Sequence, residues 1–311
     1  MNRRLVLLNA VLSVTAYAAV DPALLALVTP EARVLIGVQV TQGAAAPFGQ
    51  YILARTQLDD AKLQAVMASI GLDPIHDLQE ILAVASTDTK AAIVLGRGTF
   101  QPTKIAAAAA ASGGVTIQYR GFTVILLAPA GQGAVAFLDS SIAAMGNQTA
   151  VQAAIDRRLS GAVFAGPLAQ KAQLISADNQ VWFATVTPLS DFLSAKTADP
   201  NVGALFQSNL LQSVQQASGG LSFGAINVTM AVEAVTGSDG DAQSLSNVLN
   251  FLVGFLRNGR DASLSQVANT VQFATVGSNV KVTLSITEQQ AEQLFPPSQV
   301  PAQALRRNAR P

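Results

Sequence analysis

Apolar and polar residues alternate along this chain with two periods that take turns. In "RVLIGVQV" the period is two, which predicts a strand with Val34, Ile36, Val38 and Val40 on one face. Between Pro47 and Gly71 the period lengthens. Leu63, Val66, Met67 and Ile70 recur at the spacing of a core-facing helical stripe. "EILAVAS" and "AAIVLG" read as strands again, and an alanine-rich helix follows from about Pro102 to Ser112. "VTIQY", a turn at Arg120-Gly121 and "FTVILLA" then predict a hairpin.

The second half repeats this order. "QVWFATV" opens it as a strand, and "LSDFLSAK" and "ALFQSNLLQSVQQAS" read as helical. "LSFGA" and "INVTMAVEAV" supply strands, and "SLSNVLNFLVGFL" a helix. "TVQFATV" and "VKVTLSI" make a hairpin around Gly277-Ser278-Asn279, and "TEQQAEQLF" is the last helix. The expected fold class is therefore α+β and internally duplicated. It comprises two β-α-β-β-α-β (ferredoxin-like) halves with antiparallel sheets covered by helices. An extra block, "GAVAFLDSSIAAMGNQTAVQAAIDRR", adds two short strands and a helix capped near Gln148 or Thr149. The organisation expected is a signal peptide over 1–18, a first half over 19–160 and a linker over 161–179. A second half over 180–295 and a disordered, basic, proline-rich tail over 296–311 complete it.

Composition changes this picture in three ways. Half of the 311 residues are apolar and only 12% are charged, against about 25% in a typical soluble domain. The formal net charge is zero and no stretch of the body is strongly basic, which argues against a nucleic-acid partner. There is no cysteine, so disulfides, thiolate metal sites and an acylated lipoprotein cysteine are excluded.

The N-terminus, "MNRRLVLLNAVLSVTAYAAVDP", sets Arg3 and Arg4 before a short apolar run and Ala16-Tyr17-Ala18. This is the layout of a secretory signal cleaved after Ala18. A membrane anchor needs about 20 apolar residues, more than this run supplies. No later segment is long and apolar enough to span a bilayer, so no transmembrane helix is expected after cleavage. The expected location is exported, periplasmic or extracellular.

Several short motifs invite a chemical reading. Gly96-Arg97-Gly98 lies between a strand and a helix, as a phosphate-cradling loop would. It lacks a third glycine and a Gly-Lys-Ser/Thr, and "VTGSDGDAQSL" in the second half sets Asp239 and Asp241 at the equivalent place, with Asp241 suited to an N-cap. Gly220-Leu221-Ser222-Phe223-Gly224 spells Gly-x-Ser-x-Gly, but reads as helix before and strand after. That order reverses the nucleophile elbow, and the sole histidine, His76, lies upstream. His76 beside Asp77 has the makings of a general base or of a solvated turn. Asp239-Gly240-Asp241 lacks the further ligands of a calcium loop. Asp59-Asp60 suits a helix start, and Ser278-x-x-Lys281 falls in a turn without its companion motifs. No motif calls for a cofactor or a metal. Trp182 and Phe183 occupy one strand, so one points inward and the other outward. If Trp182 is the outward one, it is a candidate surface contact for a partner.

"LVTPEARVLIGVQVTQGAAAPFGQYILARTQ", "GLDPIHDLQEILAVAS", "GRGTFQPTKIAAAA", "AVAFLDSSIAAMGNQTAVQAAIDRR" and "SGGLSFGAIN" together cover much of the chain. In them it resembles a group of secreted, uncharacterised acidobacterial proteins. The resemblance implies export and a bacterial envelope setting and carries no catalytic residue.

The functional expectation is an exported, non-catalytic envelope protein acting through its surface on an unknown protein or envelope component. One alternative is a periplasmic carrier or sensor that binds a small apolar molecule or lipid between the halves. Another is a carboxylate-based hydrolase using residues such as Asp73, Asp77 and Asp139. A neutral exposed strand edge marks the first, an apolar pocket between halves the second, and a carboxylate pair in a cleft the third.

Overall fold

In the computed structural model, the described residues are 19–52, 73, 76–86, 92–127, 133–188 and 212–294. Asp21 caps a short helix, α1 (Pro22–Leu25), by accepting from Ala23 N at 2.7 Å. Strand β1 (Val34–Gln39) runs straight into α2 (Val40–Ala45), and residues 47–52 continue helical. Strands β2 (Leu78–Ala85) and β3 (Ile93–Gly98) precede α3 (Pro102–Ala111). The hairpin β4 (Val115–Tyr119) and β5 (Phe122–Leu126) turns at Arg120 and Gly121, both at positive φ. Such a turn matches the twist of its strands. Strands β6 (Ala134–Phe137) and β7 (Ile142–Gly146) lead to α4 (Gln148–Ser160), capped by Asn147 and closed by left-handed Gly161.

Helix α5 (Pro167–Ser176) and strand β8 (Val181–Thr185) follow. The long hairpin β9 (Val214–Phe223) and β10 (Asn227–Thr236) leads into α6 (Asp239–Arg257) and α7 (Ala262–Thr270). Strands β11 (Gln272–Val276) and β12 (Asn279–Thr287) and helix α8 (Glu288–Leu294) complete the described chain.

All described pairings are antiparallel, and they make one 12-stranded sheet in the order β11-β12-β10-β9-β8-β1-β2-β3-β7-β6-β5-β4. The α+β class and the antiparallel sheet agree with the sequence. The ferredoxin-like order is corrected. A split βαβ unit sets a strand between β1 and a parallel partner, whereas β1 here lies between antiparallel β2 and β8. The halves nevertheless share an order. A three-strand run (β1-β2-β3, β8-β9-β10) is followed by a helix and a hairpin whose later strand lies inward (β5-β4, β12-β11). The extra block inserts β6 and β7 between β3 and β5.

Other expectations also shift. The linker over 161–179 holds α5, whose Leu168, Ala169 and Ala172 are buried. "SVQQAS" is not helical but begins β9, because pairing with β8 and β10 overrides the helical preference of Gln and Ala. Ser238, rather than Asp241, caps α6, accepting from Asp241 N at 3.1 Å. Val40 has left the strand for α2, and α7 carried no expectation. The stripe of Leu63, Val66, Met67 and Ile70, the pair Asp59-Asp60, the signal peptide and the tail lie outside the described residues.

Alternation along the strands divides the sheet into two faces. On the front face of the first half, Leu35, Leu82, Leu95, Ile142, Ala144 and Trp182 pack under α1, α4 and α5 as the main core. In the second half the helices lie on the back face. There α6 sets Ala242 and Leu245 against Ala217 and Val280. Phe48 joins Val228, Ile286 and Ala291 of the same face.

Candidate functional site

Residues Val38 and Ile81 of the first half and Val181 of the second stand side by side on the back face, in register across β2, β1 and β8. α2 and the turns at 47–52 roof them, and Phe223 closes one side. Phe48 meets Phe223 edge to face at 5.5 Å between ring centres. Between these groups lies a cavity of about 240 Å³ lined almost entirely by apolar atoms. Gly43 lines it, and a Cβ there would sit in van der Waals contact with the Phe223 ring at 3.8 Å.

The same two strands carry the apolar surface onward. Val34, Ile36, Ala83 and Ala85 follow at alternate positions, and Val94 and Met145 extend the track to β3 and β7. They line a groove of about 500 Å³, in which Ile36 is 46% and Met145 49% exposed.

Directly across the sheet, on the front face, sits a buried carboxylate. Glu80 stands opposite Gln39 in the β1–β2 register, and both are 5% exposed. The backbone N–H of Asp21 donates to both Glu80 oxygens, at 3.1 and 3.3 Å, while the Asp21 carboxylate pairs with Arg97 at 2.9 Å. Burial, aided by the Asp21 charge, raises Glu80 to about 7 against the pull of the Asp21 N–H and Arg97. The Gln39 amide is buried beside this carboxylate and also pulls against the shift. Val20 N donates to Ser176 Oγ at 2.8 Å, so this knot fastens the segment just after Ala18 to the sheet.

The sequence candidates distribute as follows. Gly96-Arg97-Gly98 is strand, not loop, and Arg97 is taken by Asp21. A side chain at Gly98 would strike the Asp77 carbonyl, so that glycine serves close packing. Ser222 lies within β9, which excludes the strand-to-helix turn of a nucleophile elbow. His76 is exposed on a turn, with Nδ1 at 2.6 Å from Asp73. The hydrogen bond and charge of Asp73 raise it above its ordinary value. Asp139 accepts from Ser141 N and Oγ and pairs with Arg158 at 3.0 Å. Desolvation opposes ionisation there, but Ser141 and Arg158 outweigh it and hold the carboxyl below its usual value. Asp139 is thus committed to a turn, and Asp73 to His76. Among the described residues no group of three or more His, Cys, Asp or Glu is arranged to hold a metal.

Trp182 is corrected as a surface contact. It is 1% exposed, and its indole packs over Gly37 on the neighbouring strand, where any side chain would collide. Phe183 takes the back face and joins the second core. Sequence reasoning missed Val38, Ile81 and Phe223 as a group. The signal was the apolar character of both faces of "VLIGVQ", which alternation alone does not reveal.

No helix among the described residues is long and apolar enough to cross a membrane. No family model and no curated protein matches the chain. Solved structures do share its fold. Crystal form III of TP0453 matches with a TM-score of 0.59 at 12% identity, over 89% of this chain and 98% of that one. Crystal form I matches with a TM-score of 0.52 at 14% identity, over 90% and 98%.

Proposed function

We propose that this chain is an exported, non-catalytic binding protein that holds a small apolar molecule, or the apolar part of a lipid, at the junction of two duplicated halves. The observation that carries this reading is the cavity of about 240 Å³ between Val38 and Ile81 on one side and Val181 and Phe223 on the other. A groove along β1 and β2 lies beside it on the same face. Ligand sites are concave, mostly apolar and favour such junctions. The strand order common to the halves supports the duplication. Export is supported by the leader pattern and by Val20 and Asp21, whose contacts survive a cut after Ala18.

Titration with a fluorescent fatty-acyl probe tests the binding. Saturable one-to-one uptake is expected, and Gly43→Leu, which fills the cavity towards Phe223, weakens it by about tenfold or more. Absent uptake, or equal uptake by the variant, sinks the reading. N-terminal sequencing of protein recovered from the cell envelope or medium tests export, with Ala19 expected first.

A further inference from the structure

We propose that two copies of this chain join through strand β4, edge to edge and antiparallel, so that one sheet runs through both.

Among the described residues β4 ends the sheet and pairs with β5 alone. The two-residue turn sets the phase of its backbone. The closing pair Tyr119–Phe122 exchanges hydrogen bonds, and so do Ile117–Val124 and Val115–Leu126. The N–H and C=O groups of Thr116 and Gln118 therefore point away from the sheet. An antiparallel second β4, related by a twofold axis at Ile117, puts Thr116 opposite Gln118 and satisfies these groups reciprocally. Ile117 then meets its own copy at a non-hydrogen-bonded position, where side chains approach most closely.

Side chains fit the same register. Val115, 57% exposed, falls beside Tyr119 of the other copy on the front face. Arg120 falls opposite Gly114, so no like charges meet. "VTIQY" has none of the devices that protect an edge, being free of charge, proline and bulge. On the back face α3 packs beside β4 and β5, and Lys104, Ala107, Ala110 and Ala111 are among its exposed residues. The twofold brings the two α3 helices to the same side of the joined sheet.

The opposite edge, β11, differs: the Arg257 guanidinium donates to Val271 O at 3.1 Å where the strand begins. A β4-to-β4 contact closes on itself, as a twofold interface does, whereas a β4-to-β11 contact would propagate.

Sedimentation velocity of the chain from Ala19 to Pro311, across a concentration series, tests this. A monomer–dimer equilibrium is expected. Thr116→Pro removes an outward N–H without touching the β4–β5 ladder and raises the dissociation constant about tenfold or more. Val115→Lys, at an exposed position, acts in the same direction, and Val276→Lys on β11 leaves the dimer unchanged. The proposal is overturned by a monomer at every concentration. It is equally overturned by a dimer that survives both β4 variants, by one that Val276→Lys breaks, or by species that grow without limit.

Discussion

Each half of the sheet leaves one face without a full cover of described helices, and the two open faces differ in kind. In the second half it is the front face, where Thr229 stands beside Ser285 and Ser222, and Glu233 opposite Lys281 and Ser218. Antiparallel sheets commonly meet water this way, apolar within and polar without. In the first half it is the back face, and there Val34, Ile36, Val38, Ala83, Val94 and Met145 stand where polar groups belong. The solvated face explains itself. The apolar one invites an occupant, and this contrast adds to what the cavity argues for binding.

The sharpest way to break the comparison uses neighbours on opposite faces. Leu35 is fully buried on the front face, and Ile36 is 46% exposed on the back. Leu35→Ala is expected to cost about 3 kcal/mol, in the range for a core leucine. Ile36→Ala should cost less than about 1 kcal/mol in urea unfolding of ligand-free protein. Equal losses would mean that the back face is already packed.

The covered front face also holds a charge, and its pH dependence has a definite sign. The folded pKa of Glu80, about 7, lies above its ordinary 4.5. The stability tied to protonated Glu80 is thus fully present below about 4.5 and is lost as pH rises through 7. The loss amounts to about 3 kcal/mol at 1.36 kcal/mol per unit. Glu80→Gln should be the more stable form at pH 8, with the advantage fading towards pH 5. A variant with the same pH slope as the parent would remove Glu80 as its cause.

The smallest effect belongs to the solvated face. Thr229→Val with Ser285→Val should change stability by no more than about 0.5 kcal/mol and leave uptake of the acyl probe unaltered. A loss of binding would move the site to the other side of the sheet.

Much of the fold was legible where local chemistry is demanding. Gly121 announced a turn because glycine adopts positive φ without cost, and it does so here beside Arg120. Asn147, the cap of α4, sits one or two residues before the position expected at Gln148 or Thr149. The faces were less legible. Val34, Ile36 and Val38 alternate as a core face does, yet Leu35 and Gly37 opposite them carry the deeper burial. Periodicity separates apolar from polar, and is silent where both sides are apolar. "SVQQAS" misled because its residues favour helix in isolation, and only β8 and β10, distant in sequence, make it a strand. The junction between halves was anticipated as a place for a pocket, but its walls come from β1, β2, β8 and β9, whose meeting no local pattern encodes.

The seam between β1 and β8 also has a consequence for the order in which the molecule is made. The chain emerges N-terminus first, so β1 has one unpaired side until β8 has been synthesised. β8 then pairs with β1 across a long stretch of chain, a non-local closure of the kind that is slow. Trp182, the sole tryptophan, comes to rest on Gly37 at that step. Its emission is a clock for the moment when two half-sheets become one.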